Sequence, residues 1–287
     1  MRITLILFMV LLGLNGADTK ELSPQKSAQE AIEANLKKPE PDPDGRVQTL
    51  NKKGAMSPSL DTISQAFVTF AATPGVRVLE IGAGYGLACL EALKLGAKHY
   101  AANDMDERHL KILAREVKEI NPAYLSNVKL ISGEFPTAVQ PPSQSYDAIL
   151  IARVLHFMTP DQIKATLMEA HRTLKPGGRI YAVMLTPYVK GYASFIPEFE
   201  RRVQAKHPFP GYVDNLFDYA DATIIPANAL RNTDKPFLFF DTRSARSCFE
   251  EAGFIVEKAV EMPLAYKSKI WQLDGRENVG VIARKRG

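Results

Sequence analysis

The chain has 287 residues, 46% of them apolar and 24% charged, with a formal charge of +4. That length allows a sizeable core in one large or two small domains, and the composition is that of an ordinary globular protein. Its Lys and Arg residues form no dense run, so the electrostatic footprint of a nucleic-acid binder is missing and no nucleic-acid partner is expected. Cys89 and Cys248 both fall at apolar positions of predicted helices. They read as buried thiols rather than as a disulfide.

Met1-Arg2 is followed by an apolar run over residues 3–14 and by small residues up to Ala17. A positive start, a short apolar core and a small-residue exit are the parts of a secretory signal peptide, here residues 1–17. The run is short for a bilayer span, which leaves an uncleaved anchor or a plain N-terminal helix as the alternatives. A secreted or periplasmic destination follows, with the membrane touched only through this segment. Residues 18–56 read as a polar linker, since the alternating prolines and charges of 37–45 cannot pack, with room for a short helix over 27–36. From Ser57 a helix is expected, with Ile63, Phe67 and Phe70 on one face. It either lies over a ligand pocket or packs at the edge of a sheet.

Residues 78–81 read as a short buried strand. Gly82, Gly84 and Gly86 follow at alternate positions, and residues 87–95 read as a helix stopped by Gly96. A strand that turns through glycines into a helix lets the backbone approach a ligand while free N–H groups face it. The dinucleotide fingerprint G-x-G-x-x-G/A fails at its sixth position, which is Leu87. A second strand over 99–103 ends at Asp104, 22 residues beyond Gly82, where a carboxylate can accept both hydroxyls of a ribose. Met105 follows it and can pack against a base. An amphipathic helix over 107–120 leads to a third strand, 128–132, and then to Gly133-Glu134-Phe135.

The fourth strand, 146–152, is apolar almost throughout and therefore central. It ends in Ala152-Arg153-Val154-Leu155-His156-Phe157. Thr159-Pro160-Asp161-Gln162 is a capping box for a helix that runs to Leu174. Lys175-Pro176-Gly177-Gly178 then precedes a fifth strand, 179–185. The acidic residue before G-x-G-x-G, the acid after the second strand, Gly-Glu-Phe, and Leu-Lys-Pro-Gly-Gly together resemble class I S-adenosylmethionine (SAM) dependent methyltransferases. The resemblance covers about residues 58–186 and 241–286. It implies a doubly wound α/β fold with a mostly parallel seven-stranded sheet, a last strand antiparallel to the rest, and SAM as cofactor. It further implies cofactor contacts from Glu80, Gly82, Ala83, Gly84, Gly86, Asp104, Met105, Glu134, Phe135, Ala152 and Arg153. The Asp/Asn-Pro-Pro-Tyr segment of DNA amino-methyltransferases does not follow the fourth strand, again against nucleic acid.

Residues 187–240 are too long for a plain loop and rich in aromatics, with helices expected over 192–206 and 214–220. They leave the ligand-binding edge of the sheet, so they read as a cap that gives the acceptor an aromatic wall, or else as a small satellite core. Asp241-Thr242 caps a final helix over 243–252, followed by a strand to about 262 and a last strand over 279–284. The five histidines show no metal-ligand spacing, and no metal is expected. His156, at the mouth of the fourth strand, is a candidate general base, and Tyr188, after the fifth, a candidate for touching substrate. The expected reaction is methyl transfer to a small or lipid-like acceptor inside a cap. Alternatives are an exported protein methyltransferase, a non-catalytic SAM-binding scaffold and, weakest, a nicotinamide-dependent reductase.

Overall fold

A computed structural model describes residues 19–226, 230 and 235–287. The expected signal peptide, residues 1–17, lies outside the described residues. The strands are β1 (Lys20–Leu22), β2 (Val47–Gln48), β3 (Ala55–Met56), β4 (Val78–Ile81), β5 (Tyr100–Asp104) and β6 (Val128–Ser132). They continue with β7 (Tyr146–Ala152), β8 (Leu174–Leu185), β9 (Tyr212–Val213), β10 (Phe237–Leu238), β11 (Phe254–Met262) and β12 (Asn278–Lys285). The α-helices are α1 (Pro24–Glu33), α2 (Thr62–Ala71), α3 (Leu87–Lys94), α4 (Glu107–Ile120), α5 (Pro160–Thr173), α6 (Ile196–Gln204) and α7 (Thr242–Glu251).

One sheet has the order β1-β6-β5-β4-β7-β8-β12-β11. β4 through β8 pair parallel, and β12 runs antiparallel to both β8 and β11, as expected. Alternation along the strands divides the core between the two faces. Val78, Ala102, Leu130, Leu150 and Val183 meet α2, α3 and α4 on one face. Leu79, Ile81, Ala101, Ile149, Ile151 and Ala182 meet α5 and α7 on the other. Both faces of β4 and β7 are covered, which is why these strands are apolar apart from Glu80 and Asp147.

Three expectations are corrected. The sheet has eight strands, because Lys20–Leu22 adds antiparallel to β6. The stretch read as a linker therefore carries structure: α1 docks its buried Ala28 beside α4, and β2 and β3 form a hairpin. Two charged residues and one leucine at a sheet edge have no periodicity that sets them apart from linker, and charged side chains are what an edge strand tolerates. Second, α2 starts at Thr62 rather than Ser57. Asp61 is its N-cap, and its carboxylate accepts the N–H groups of Ile63 and Ser64 at 3.0 and 2.9 Å. Third, Leu174 to Gly178 belongs to β8, although Gly177 keeps a left-handed φ of +76°.

The insertion forms a 3-10 turn at Lys190–Phe195, α6, a second 3-10 turn at Leu216–Tyr219 and the small β9–β10 ladder. Its aromatics pack mostly on one another: Tyr192, Phe195, Phe199 and Phe239 make a separate core with Tyr188 and Trp271.

Candidate active site

The C-terminal ends of β4, β5, β6 and β7 open into one cavity of about 470 Å³. Gly82 and Gly84 form part of its floor, with φ of +73° and +54°. A Cβ on Gly82 would lie 2.4 Å from Val154 Cγ2, and one on Gly84 would lie 2.4 Å from Met56 Sδ. The glycines are thus required for backbone conformation and for close approach at once. Gly86 ends the loop as N-cap of α3, and a Cβ there would strike Leu113 Cδ1 at 2.2 Å.

Of the residues expected at a cofactor, Glu80, Gly82, Gly84, Met105, Glu134, Phe135, Ala152 and Arg153 line this cavity, and so does His156. Ala83, Gly86 and Asp104 stand behind the wall. Ala83 donates its N–H to Asn103 O at 2.8 Å and is fully buried. Asp104 holds the loop itself. Its Oδ2 accepts the Gly84 N–H at 2.8 Å, while Oδ1 accepts the Asp106 N–H at 2.8 Å and lies 3.0 Å from His109 Nδ1.

Tyr188 is not in the cavity, contrary to expectation. It is buried in the insertion's core beneath the Arg276 guanidinium, 3.6 Å from the ring centroid, because the chain turns away from the site at Thr186. The aromatic wall expected from the cap is absent for the same reason. Among the described residues, the insertion lends the cavity only Lys235 and Pro236. The apolar surface comes instead from Met56, Leu60, Phe157 and Met158.

The roof is the former linker. Thr49, Asn51, Lys53, Gly54, Ala55 and Met56 cover the glycine loop. Two hydrogen bonds fasten them: Tyr85 Oη donates to Gln48 O at 2.9 Å, and the Leu50 N–H donates to His109 Nε2 at 3.0 Å. Since Nε2 accepts, the His109 proton sits on Nδ1 and is donated to Asp104. One imidazole therefore joins the roof to the acid behind the loop. Nothing in the polar stretch 47–56 marks it as a roof, except the turn signal Lys52-Lys53-Gly54.

Electrostatics set two further properties. Burial pushes the Glu80 carboxyl up to about 7, with a donated hydrogen bond from Tyr100 Oη at 2.7 Å acting against it. A folded value above the ordinary 4.5 means that the folded state holds more protons between pH 4.5 and about 7. Stability from this group is then greatest below pH 4.5 and is lost as pH rises through that window, by about 3 kcal/mol in full. Urea unfolding of the wild type against Glu80→Gln across this range checks it. The Gln variant is expected to lack that part of the slope, and equal slopes would contradict the assignment.

His156 is buried and stacks on Phe237 at 4.9 Å and 28°. Its Nδ1 accepts the Leu185 N–H at 3.3 Å, which leaves the ring proton on Nε2. Burial, with the Arg153 charge added, pushes its pKa down to about 3. The sequence suggested a general base at this position. The geometry provides a neutral ring that donates through Nε2–H. Ring ¹⁵N shifts between about pH 5 and 8 are expected to stay at neutral, Nε2-protonated values, and a titration near the ordinary 6.5 would refute this.

Sequence reasoning missed one more feature. Arg153, held at φ +60°, donates from Nη1 to the buried Asp61 at 2.9 Å, and its buried Nη2 has no hydrogen-bond partner among the described residues. The capping signal Asp61-Thr62-Ile63 could have located Asp61. Its pairing with Arg153 is a tertiary fact.

Comparison with known proteins agrees with this arrangement. Residues 78–178 match the family described as methyltransferase domain. A stretch of 116 residues is 32% identical to part of the highly reducing polyketide synthase ctvA of Aspergillus terreus. The match takes in 39% of this chain, but the chain spans only 5% of the synthase. Among solved structures, a SAM-dependent methyltransferase from Methanosarcina mazei superposes with a TM-score of 0.54 at 16% identity, covering 79% of this chain and 99% of that one. One from Mesorhizobium loti gives 0.52 at 16% identity, covering 79% and 100%. The 1,6-didemethyltoxoflavin-N1-methyltransferase of Burkholderia thailandensis, with its substrate and S-adenosylhomocysteine bound, gives 0.51 at 17% identity, covering 79% and 78%. The chain therefore has the fold of these methyltransferases, and its residues 78–178, which carry the glycine loop, match the methyltransferase-domain family.

Proposed function

We propose that this protein transfers the methyl group of SAM to a small or lipid-like acceptor held beside the apolar residues Met56, Leu60, Phe157 and Met158. The observation that carries this reading is a single cavity that touches both the glycine loop and that apolar surface. Its residues fit the cofactor. Met105 and Phe135 would hold the purine faces and Glu134 the adenine amino group, while Asp104, outside the cavity lining, would shape the glycine loop that meets the ribose. The buried Arg153 Nη2, without an acceptor among the described residues, suits the carboxylate of an amino-acid tail. When bound, SAM supplies a methyl group already activated on a sulfonium, so no covalent protein nucleophile is needed.

The chain's own residues bind, orient and exclude water. The hairpin β2–β3 covers the glycine loop on one side. His156 offers Nε2–H to orient a polar atom of the acceptor, as a donor and not as a base. The described residues of the insertion do not fill the cavity, which favours an enzyme over a non-catalytic scaffold. Calorimetric titration with SAM, S-adenosylhomocysteine and NAD tests the reading. Micromolar binding of the two sulfur ligands and none of NAD is expected, and silence with both in a folded sample would end it. We further propose export through residues 1–17, supported by the apolar run 3–14. The mass of the mature protein checks this, since an intact leader would count against it.

A further inference from the structure

The mouth of the cavity has a charge pattern that narrows the acceptor. The lining carboxylates are Glu80, within β4, and Glu134, after β6. The lining cations are Arg153, after β7, Lys53, in the roof, and Lys235, in the insertion. Arg153 is matched by Asp61. Neither lysine has an ion-pair partner among the described residues.

Their placement is specific. Lys53 precedes Gly54, whose Cβ position lies 3.3 Å from Phe157 Cζ. Phe157 packs edge-on against Phe237 at 5.6 Å, and Phe237 follows Lys235 by two residues. The two lysines, from the hairpin and from the insertion, line the same cavity as this ring, which is 44% exposed. A ring open to solvent in a cavity that also holds two unpaired ammonium groups suits a ligand with an apolar body and a negative end.

We infer that the methyl acceptor is an anionic amphiphile, bearing a carboxylate or a phosphate, whose charged end lies between Lys53 and Lys235 while its apolar part runs past Phe157. This rests on the methyltransferase reading, whose own test is the binding of S-adenosylhomocysteine. Octanoate, octyl phosphate and octanol share one chain and differ in the head, so they serve as probes. Each is titrated calorimetrically into the full chain, with and without saturating S-adenosylhomocysteine.

At least one anion is expected to bind tenfold or more tighter than octanol, and which one it is separates carboxylate from phosphate. The double variant Lys53→Gln, Lys235→Gln is expected to lose that preference in the titrations without S-adenosylhomocysteine, with a melting temperature that stays at the wild-type value. Equal binding of all three probes, no binding of either anion, or a preference that survives the double substitution would overturn the inference. Failure of S-adenosylhomocysteine alone would strike the underlying reading instead, because the comparison without it still reports on the lysines.

Discussion

Replacing Asp104 with alanine is expected to weaken S-adenosylhomocysteine binding by about tenfold to a hundredfold, because the loop that meets the ligand loses one hydrogen bond to a charged acceptor. An ionised carboxylate has about four lone-pair sites. The Gly84 N–H, the Asp106 N–H and His109 Nδ1 take three of them. Asp104 is therefore engaged in holding the loop and acts on the cofactor through it. The alanine variant leaves the Gly84 N–H without its acceptor in a loop held at positive φ. Asparagine keeps the shape but sets an NH₂ donor against one of the protein's donors, so its effect should be smaller than that of alanine. Calorimetry gives the loss of affinity, and a parallel melting curve separates it from a general loss of folding. Wild-type affinity in the alanine variant would remove Asp104 from the site.

The second large effect concerns stability. Asp61 accepts from Ile63 N, Ser64 N, Ser64 Oγ and Arg153 Nη1, all between 2.9 and 3.0 Å, and is 4% exposed. Asp61→Ala strips α2 of its cap, at about 0.5–2 kcal/mol. It also leaves the Arg153 guanidinium without a partner among the described residues, and breaking a buried pair in this way costs about 3–5 kcal/mol. For a chain of this size the melting temperature should fall by on the order of 10 °C. Arg153→Met should cost less, because Asp61 keeps its three remaining donors. Chemical denaturation of both variants would test that order. If the arginine variant proved the weaker of the two, the pair would have been read the wrong way round.

Much of the frame was legible in the sequence, and the reason is burial on both faces. Strands such as Tyr146–Ala152 have no solvent side, so they read as apolar runs, and the glycine loop and the Thr159 capping box are local motifs. The edge strand Lys20–Leu22 and the hairpin were not legible. Each is held by backbone pairing and a few long-range contacts, neither of which imposes a pattern on side chains. The insertion misled for a different reason. Its aromatics mark a core, but composition does not say whose, and Tyr188 and Phe199 turned out to pack inward on each other. Asp104 shows a finer limit. Its position at a strand end is visible in the sequence, while its part in bracing Gly84 depends on a fold that brings β4 and β5 together.

The roof over the glycine loop has a consequence for where this domain begins. The segment that matches other methyltransferases starts at residue 78, and the pattern of the sequence suggests a boundary near 57. A fragment cut there would keep the parallel strands and lose β1, α1 and the hairpin. Its Tyr85 hydroxyl and His109 Nε2 would then face solvent in place of Gln48 and Leu50. Such a fragment could fold and still be a poor vessel for any ligand, so the smallest unit worth isolating starts ahead of Lys20.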